Sequence, residues 1–563
     1  MSSGTKRKIA FGGACALAAM ICQLQGAAPA PSISQTTPGR AQVAPRSGSP
    51  ASQPRGANRG AKSASRKPSA RERFAAHADA LTQAGAAEKG EWGILIADAE
   101  TGETLFEQNS EKYFVPASNL KLFSTALALT TLGSDYRFHT TLESHGTIAP
   151  DGTLSADLVL VGRGDPNLSN RKFPFELKEE FDGPPERTLA ELADRLVAKG
   201  VKSISGDIVG NDSYFPRERY PSGWEIDDMV WQYGAAVSAI VVDDNTVTLT
   251  LTAGQSAGDP VQAELAPATP DFLVENRVAT SEPGVKSDLS LTREPAGRSV
   301  IVEGTLPAKS APRKLVLAIQ EPAFHAAAIL KRLLEQRGVA VNGVARAEHQ
   351  RLPSAIEPAV LAEHVSVPLS DSIKLVNKIS QNLHSEVLLR TAAREACLRA
   401  LPGAASLACF DLKPDAIFTE FCDPLYAQMG ISPDDVIQTD GSGLSRRDLV
   451  TPRAIVALLQ YARKQPWFAP YYASLPVAGV DGTLEDRLKN SDAAGRIHAK
   501  TGSLEHVRTR SGYAETPNGR KLIFSFLGNN QGGKNHEAID ALDGLSLAMI
   551  EEFDQRRPSC CKK

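Results

Sequence analysis

The chain has 563 residues, of which 62 are Lys or Arg and 65 are Asp or Glu, so its net charge is −3. This length allows more than one domain with a well-buried core. The charge is uneven: the first 71 residues hold eleven Lys and Arg and no acidic residue, so the remainder carries a net charge of −14. An acidic body argues against nucleic acid as a partner, because phosphate binding needs a basic surface.

The N-terminus has the order of a secretory signal. Three basic residues at 6–8 are followed by an apolar run from Ile9 to Leu24 and then by small residues and proline. We therefore expect residues 1–27 to be a signal peptide that sends the protein across the inner membrane to the periplasm and cell envelope. The alternative is that the apolar run is retained as a membrane anchor.

Residues 28–71 are predicted to be a disordered linker. They consist mainly of Pro, Ser, Ala, Gly and Arg and contain almost no apolar cluster that could offset the entropy of ordering. Their positive charge favours either a peripheral contact with an anionic envelope surface or simple solubility of the linker.

The two ends of the remaining body are predicted to form one antiparallel sheet with flanking helices. Each end contains a pair of strands around a turn, and the C-terminal end adds an amphipathic helix. These segments are 93–98 and 103–106 around Gly102, 506–514 and 521–527 around Pro517–Gly519, and the helix at 536–553.

An apolar helix begins at Pro116 and carries Ser118 and Lys121 on one face of its first turn. If the helix is buried, desolvation lowers the pKa of Lys121, and the amine can then take a proton from Ser118 near neutral pH. The alternative is that Ser118 is an N-cap and Lys121 extends to solvent. The Ser-x-x-Lys pattern alone does not decide, because it occurs three more times in the chain.

Between the two ends lies an insertion with a different pattern of predicted elements. Short strand-like runs alternate there with predicted helices at 189–199 and 324–337. We interpret it as two nested modules. Five cysteines remain after removal of the signal, and Cys397 and Cys409 are near enough for a disulfide, although the pairing stays open. The spacings predict no metal site and no cofactor.

Two further motifs follow the insertion. Ser380 and Asn382 stand two apart where a predicted helix at 371–390 is interrupted, and Lys500-Thr501-Gly502-Ser503 opens a strand. The order Ser-x-x-Lys, Ser-x-Asn, Lys-Thr-Gly, each in a suitable helix or strand, is far more specific than any one of the motifs.

With these three motifs the chain resembles the penicillin-binding and active-site serine β-lactamase superfamily. Within it, the chain resembles the low-molecular-mass class C penicillin-binding proteins, the D-alanyl-D-alanine carboxypeptidase and endopeptidase family. The narrower resemblance rests on the long separation of Lys121 from Ser380, on the turn at 162–168, and on Asp440-Gly-Ser-Gly-Leu-Ser-Arg446 followed by Thr-Pro. It covers about residues 85–555.

The resemblance implies an α/β (α+β) transpeptidase-like domain, with an antiparallel sheet flanked by helices, interrupted by two smaller, mostly β domains. The implied boundaries are a catalytic domain at 72–139 and 363–555, an inserted domain II at 140–243 and 316–362, a nested domain III at 244–315, and a tail at 556–563.

The resemblance also implies a role for each motif. Ser118 attacks the substrate carbonyl with Lys121 as base, Ser380 protonates the leaving amine and Asn382 holds the substrate amide. Backbone N–H groups of Ser118 and Ser503 form the oxyanion hole.

The terminal carboxylate of the substrate is expected at Lys500, Thr501, Gly502 and Ser503. Arg446, with Asp212 and Phe215 of the insertion, is expected to hold an acidic group of the peptide. Ser442 is interpreted as a loop serine, because no glycine lies two residues before it.

The implied activity is a serine-type D-Ala-D-Ala carboxypeptidase and endopeptidase that acts on peptidoglycan stem peptides and is acylated by β-lactams. Two alternatives stay open. One is a β-lactamase or esterase on the same scaffold, since the motifs are shared. The other is a non-catalytic peptidoglycan-binding protein, against which the intact Ser118 and Lys121 argue.

Overall fold

The computed structural model describes residues 66–554 apart from 271, 295–296, 351–356, 402, 404–407, 411–412 and 533–534. The predicted signal peptide, most of the predicted linker and the tail lie outside the described residues. The described chain begins with helix α1 (Ala70–Thr82), where Ser69 and Glu72 cap the N-terminus through reciprocal hydrogen bonds. Ala70 and Arg71, assigned to the linker from sequence, thus belong to a helix.

A five-stranded antiparallel sheet joins the two ends of the chain. In spatial order it consists of β19 (Ile497–Leu504), β20 (Val507–Glu515), β21 (Lys521–Asn529), β1 (Glu91–Asp98) and β2 (Thr104–Gln108). Strand β1 pairs with β21 along its whole length, from Glu91 opposite Asn529 to Asp98 opposite Leu522. The prediction of one antiparallel sheet built from both ends is confirmed.

Helices cover both faces of this sheet. On one face, α1 and α11 (Asn535–Glu552) bury Phe74, Leu545 and Met549 against sheet residues such as Phe524. The opposite face is covered by five helices, and each large side chain buried there contributes about 1.5–3 kcal/mol. These helices are α2 (Lys121–Leu132), α5 (Leu369–Lys378), α6 (Asn382–Ala400), α9 (Pro452–Ala462) and α10 (Phe468–Ser474).

Short elements lie between α6 and α9 along the chain. They are α7 (Pro414–Ala416), α8 (Asp423–Gln428), β17 (Val436–Ile437) and β18 (Leu449–Val450). Cys397 and Cys409 form a disulfide at the end of α6, as the sequence allowed. Cys422 is buried as a free thiol.

The first inserted domain is a mixed sheet covered by two helices. Its central sheet has the order β15 (Ala345–Glu348), β7 (Ile208–Asn211), β5 (Leu158–Val161), β3 (His139–Ser144) and β16 (Ala359–Val365). The remaining elements are the helices α3 (Arg187–Ala198) and α4 (Pro322–Gln336) and the short strands β4 (Thr153–Leu154), β6 (Ser203–Ile204) and β14 (Ala340–Val341). The two helices confirm the predicted helices, and they pack on the sheet in one apolar core.

The nested domain is all β in its regular elements. It has two three-stranded sheets that share one apolar core. One sheet contains β10 (Leu273–Ser281), β12 (Ser299–Pro307) and β11 (Asp288–Arg293), and the other contains β13 (Arg313–Ala318), β8 (Thr246–Thr252) and β9 (Gln262–Ala266).

Two predicted domain boundaries cut through strands. Strand β13 crosses the boundary expected at 315, and β16 crosses the one expected at 362. Because β16 pairs with β3, its last residues belong to the inserted domain rather than to the catalytic one. Among the described residues, no helix is both long and apolar enough to cross a membrane.

Candidate active site

Ser118 lies in the first turn of the buried helix that the sequence predicts. A 3-10 turn (Ala117–Leu120) leads directly into α2. Ala117 has φ +48°, a left-handed conformation that a residue with a Cβ rarely adopts, and Ser118 beside it is the partly accessible residue of a buried turn. Neither the turn nor the helix has a side-chain N-cap, so the interpretation of Ser118 as a capping residue is wrong.

Lys121 is fully buried and is surrounded by three hydrogen-bond acceptors. Its Nζ lies 2.9 Å from Ser118 Oγ, 2.6 Å from Asn382 Oδ1 and 2.7 Å from the carbonyl oxygen of Ser442. Burial lowers the pKa of Lys121 to about 7, although nearby buried carboxyl groups oppose the shift. Near neutral pH a large share of the molecules therefore holds an uncharged amine against the Ser118 hydroxyl.

The Ser-x-Asn motif forms the break between α5 and α6. Ser380 sits in the break with φ +64°, and Asn382 is the first residue of α6. The Asn382 amide contacts Lys121 through Oδ1 and donates from Nδ2 to the carbonyl oxygen of Tyr233 at 2.8 Å. Gln381 points away from this site and donates to Asp244 at 2.8 Å.

The Lys-Thr-Gly motif lies on β19, at the edge of the sheet. Lys500 is fully buried, and its Nζ donates to Ser380 Oγ at 2.9 Å and to the Thr501 carbonyl at 2.8 Å. In the described part of the chain no carboxylate lies within ion-pair distance of Lys500. Burial, together with the charge of Lys121, holds the pKa of Lys500 well below its usual range.

Gly502 permits the close approach of β19 to the Ser118 turn. A Cβ at this position would lie 2.8 Å from the Pro116 carbonyl oxygen and would also overlap the Thr509 hydroxyl, which itself donates to Pro116. Thr501 shares a 2.7 Å hydrogen bond with Thr483, and Ser503 is exposed. The two hydroxyl residues that flank Gly502 therefore belong to the strand that lies against the Ser118 turn.

Asp440 fixes the loop at 440–446, whose Ser442 carbonyl contacts Lys121. Its carboxylate accepts hydrogen bonds from the backbone N–H groups of the loop, from the Ser442 hydroxyl at 3.0 Å and from the Trp224 indole at 2.9 Å. This fixes the Ser442 carbonyl that contacts Lys121. Ser442 is fully buried with its hydroxyl on Asp440, which agrees with its interpretation as a loop serine.

Comparison with known proteins assigns the family. A model of the D-Ala-D-Ala carboxypeptidase 3 (S13) family matches residues 74–548, most of the chain. The chain belongs to this S13 family. It is thus a serine-type D-Ala-D-Ala carboxypeptidase by family, and the resemblance to low-molecular-mass class C penicillin-binding proteins is confirmed.

Individual S13 relatives match over nearly their whole length. The chain is 32% identical over 491 residues to a D-alanyl-D-alanine carboxypeptidase of Actinomadura sp. strain R39, covering 85% of each chain. It is 28% identical over 470 residues to D-alanyl-D-alanine carboxypeptidase DacB of Haemophilus influenzae, covering 83% of this chain and 88% of that one.

Two crystal structures of penicillin binding protein 4 (dacB) from H. influenzae superpose on this S13 chain. The first gives a TM-score of 0.72 at 26% identity and covers 85% of this chain and 99% of the other. The second, a complex with a novel β-lactam, gives a TM-score of 0.65 at 25% identity and covers 85% of this chain and all of the other. The predicted fold class is confirmed.

The three outlying residues of the predicted S13 site make different side-chain contacts, although the Phe215 N–H donates to the Asp212 carbonyl at 3.4 Å. Arg446 donates to Glu225 at 2.5 Å and to the Glu505 carbonyl at 3.1 Å. Asp212 instead accepts from Ser238 and pairs with His349, each at 2.8 Å. No hydrogen bond or ion pair among the described residues joins Asp212 to Arg446.

Phe215 packs between α6 and the loop that carries Arg446. It is 5% exposed and lies in an apolar cluster with Leu383 and Val387 of α6 and with Leu444, two residues before Arg446. The hydrogen bonds between the insertion and the predicted S13 site residues come from a later segment, through Glu225 to Arg446 and through the carbonyl of Tyr233 to Asn382. No local pattern in the sequence distinguishes that segment from the one around Asp212.

Three buried carboxyl groups lie near Lys121, those of Asp440, Glu386 and Asp448, and none of them was predicted as a site residue from the sequence. Burial and the charge of Asp440 raise the pKa of Glu386 to about 8 and hold that of Asp448 well above its usual range. Glu386 accepts from the Gly441 N–H at 2.8 Å. One signal was available for Glu386: it follows Asn382 by four residues, so both lie on the same face of α6.

Proposed function

We propose that this chain cleaves peptidoglycan stem peptides ending in D-Ala-D-Ala through an acyl-enzyme on Ser118. The observation that carries the proposal is the 2.9 Å contact between Ser118 and a buried Lys121 whose pKa is about 7. A nucleophile and a base held together in this way have no use in a protein that only binds its ligand.

In the acylation step, Ser118 Oγ attacks the carbonyl carbon of the penultimate D-alanine while uncharged Lys121 accepts the hydroxyl proton. Backbone N–H groups of Ser118 and Ser503 stabilise the oxyanion. The close approach of β19 to the Ser118 turn at Gly502 supports this pairing, because it brings the strand that carries Ser503 against the turn that carries Ser118.

The C–N bond then breaks and the leaving amine needs a proton. Ser380 is suited to supply it, because its Oγ accepts a hydrogen bond from Lys500 and its own proton remains free to be donated. Asn382 is held by Lys121 and Tyr233, which supports its role in aligning the substrate amide. Attack of water on the acyl-enzyme, by the reverse route, releases the shortened peptide and regenerates Ser118.

Lys500, Thr501 and Ser503 are proposed to bind the terminal carboxylate, with Gly502 allowing the approach. A buried ammonium without an acidic partner within reach is costly, and a substrate carboxylate supplies the missing charge. The charge-assisted hydrogen bonds so formed are stronger than those of neutral groups. Arg446 is proposed to bind an acidic group of the stem peptide by exchanging its contact with Glu225.

The same site accounts for two further proposed activities. In endopeptidase action, the amine that leaves belongs to a cross-linked peptide rather than to free D-alanine, and the chemistry is unchanged. A β-lactam presents an acylating carbonyl and a carboxylate as the dipeptide does, so it would acylate Ser118 and leave slowly. We further propose that the protein is secreted and acts on the cell wall from the periplasm.

The test uses a fluorescent penicillin, a stem peptide ending in D-Ala-D-Ala, and the Ser118→Ala variant. We expect stable labelling of Ser118 and release of D-alanine, both lost in Ser118→Ala. A matched control is Ser491→Ala, a turn serine that donates to the Leu488 carbonyl, which should retain both activities.

Two results would contradict the proposal. Rapid turnover of the penicillin without D-alanine release would identify a β-lactamase. Absence of both labelling and D-alanine release from the wild-type protein would indicate a binding protein.

A further inference from the structure

A strained turn of the insertion lies against the Ser-x-Asn loop. Asp243, Asp244 and Asn245 all have left-handed backbone, with φ of +49°, +52° and +56°. Asp and Asn tolerate this conformation better than other residues with a Cβ, but three in succession need support. It comes from the Asn245 side chain, which donates to the Ala236 carbonyl at 3.1 Å, and from Ser169, which accepts from the Asp244 N–H at 3.2 Å.

The Asp244 carboxylate is buried and gathers three donors from two domains. It accepts from Arg171 of the insertion and, across the domain boundary, from Gln381 Nε2 at 2.8 Å and His384 Nε2 at 2.9 Å. Burial alone would raise its pKa, but the charge of Arg171 and the contacts with His384 hold the pKa of Asp244 well below its usual range. The group is thus a fixed anion.

Gln381 transmits this anchor to the catalytic loop. Its side chain is held at both ends, because Nε2 donates to Asp244 while Oε1 accepts from the Leu383 N–H at 3.0 Å and caps α6. The residue before it is Ser380, with φ +64°, and the residue after it is Asn382. His384 lies one turn further along α6, so Asp244 contacts the loop on both sides of Asn382.

We propose that Asp244 is a positioning residue for the reaction. Through Gln381 and His384 it holds Ser380, with its left-handed backbone, and Asn382 in the positions that catalysis requires. The insertion is then part of the catalytic machinery rather than an appendage. This inference rests on the proposed function, in which Ser380 protonates the leaving amine.

That role gives a readout that general destabilisation would not produce. A D-Ala-D-Ala peptide expels an amine, which needs the proton from Ser380, whereas a thioester analogue expels a thiolate, which does not. Misplacement of Ser380 should therefore slow hydrolysis of the peptide more than that of the thioester.

The test compares Gln381→Met, Asp244→Asn and the double variant on both substrates, together with melting temperatures. Gln381→Met removes both bonds of this side chain, the one to Asp244 and the cap on α6, but leaves Asp244 paired with Arg171 and His384. We expect kcat on the peptide to fall about tenfold in Gln381→Met and at least as far in Asp244→Asn, with KM and the thioester rate changing less than about threefold. The double variant should be no slower than Asp244→Asn alone, because both changes break the same link.

Asp243→Asn is the matched control, since no hydrogen bond or ion pair among the described residues joins the Asp243 side chain to the loop; it should behave like the wild type. Equal losses on peptide and thioester, an effect as large in Asp243→Asn, or unchanged kinetics in Gln381→Met would each overturn the inference. The proposed function is judged separately, by the activity of the wild-type protein on the same two substrates.

Discussion

The site contains two fully buried lysines, and their surroundings differ. Lys121 lies beside three carboxyl groups, those of Asp440, Glu386 and Asp448, and any negative charge on them opposes the effect of burial. Lys500 has only the repulsion of Lys121 in addition to burial. The difference teaches that burial alone does not assign a role. The pKa of Lys121 is kept close to 7, as a base requires. Lys500 lacks a counter-charge, and an anionic substrate can supply one.

The largest effect is expected at the base. Lys121→Met keeps most of the side-chain volume but removes the amine, so Ser118 loses its proton acceptor. We expect the rate of acylation by penicillin to fall about 1,000-fold, measured by the time course of labelling.

Lys331→Met is the control, because this lysine lies on α4 and pairs with Glu335. It should be acylated at the wild-type rate. A loss of less than tenfold in Lys121→Met would mean that another group accepts the proton. The different roles assigned to Lys121 and Lys500 would then be wrong.

The next effect separates Lys500 from Lys121 by substrate. Lys500→Ala should lower kcat/KM for a peptide with a free terminal carboxylate by about 30- to 100-fold, the size of a lost charge-assisted hydrogen bond. For the corresponding neutral ester we expect a loss of less than about fivefold. The measurement is kcat/KM for the matched pair of substrates, and equal losses on both would contradict the carboxylate role.

The smallest effect concerns the carboxyl groups around Lys121. Because the pKa of Glu386 is about 8, this group is mostly protonated at pH 7, and Gln resembles its neutral form. Glu386→Gln should therefore move the acidic limb of the kcat/KM profile by less than about half a pH unit. A shift of a full unit would show that Glu386 is ionised and sets the pKa of Lys121.

The parts of the site that sequence could predict are those encoded locally. Ser118 and Lys121 share a helix turn, and Lys500 to Ser503 share a strand, so spacing and hydrophobic pattern were sufficient. The strand pairs at the two ends of the body could also be predicted, from the alternation of apolar and polar residues and from the turn at Pro517–Gly519. Their meeting in one site followed from the resemblance and not from any local pattern.

The parts that sequence could not predict depend on long-range packing. The carboxyl groups around Lys121 come from separate segments, and the anchor at Asp244 lies 137 residues from Gln381. Asp212 was assigned to the Arg446 pocket from the resemblance, and the direct contact of Arg446 with Glu225 could not be foreseen. The placement of such residues is set by how whole domains dock, which neither periodicity nor local motifs record.

The most direct test of the central claim is the pH dependence of penicillin acylation of the wild-type protein between pH 5.5 and 9.5. The uncharged amine of Lys121 is the active form, so the rate must fall as the pH drops below its pKa. With that pKa at about 7, we predict a half-maximal rate near pH 7, a tenfold decrease per unit below it, and a plateau above pH 8. A rate that keeps rising through pH 9, as a lysine of ordinary pKa would give, would contradict the account.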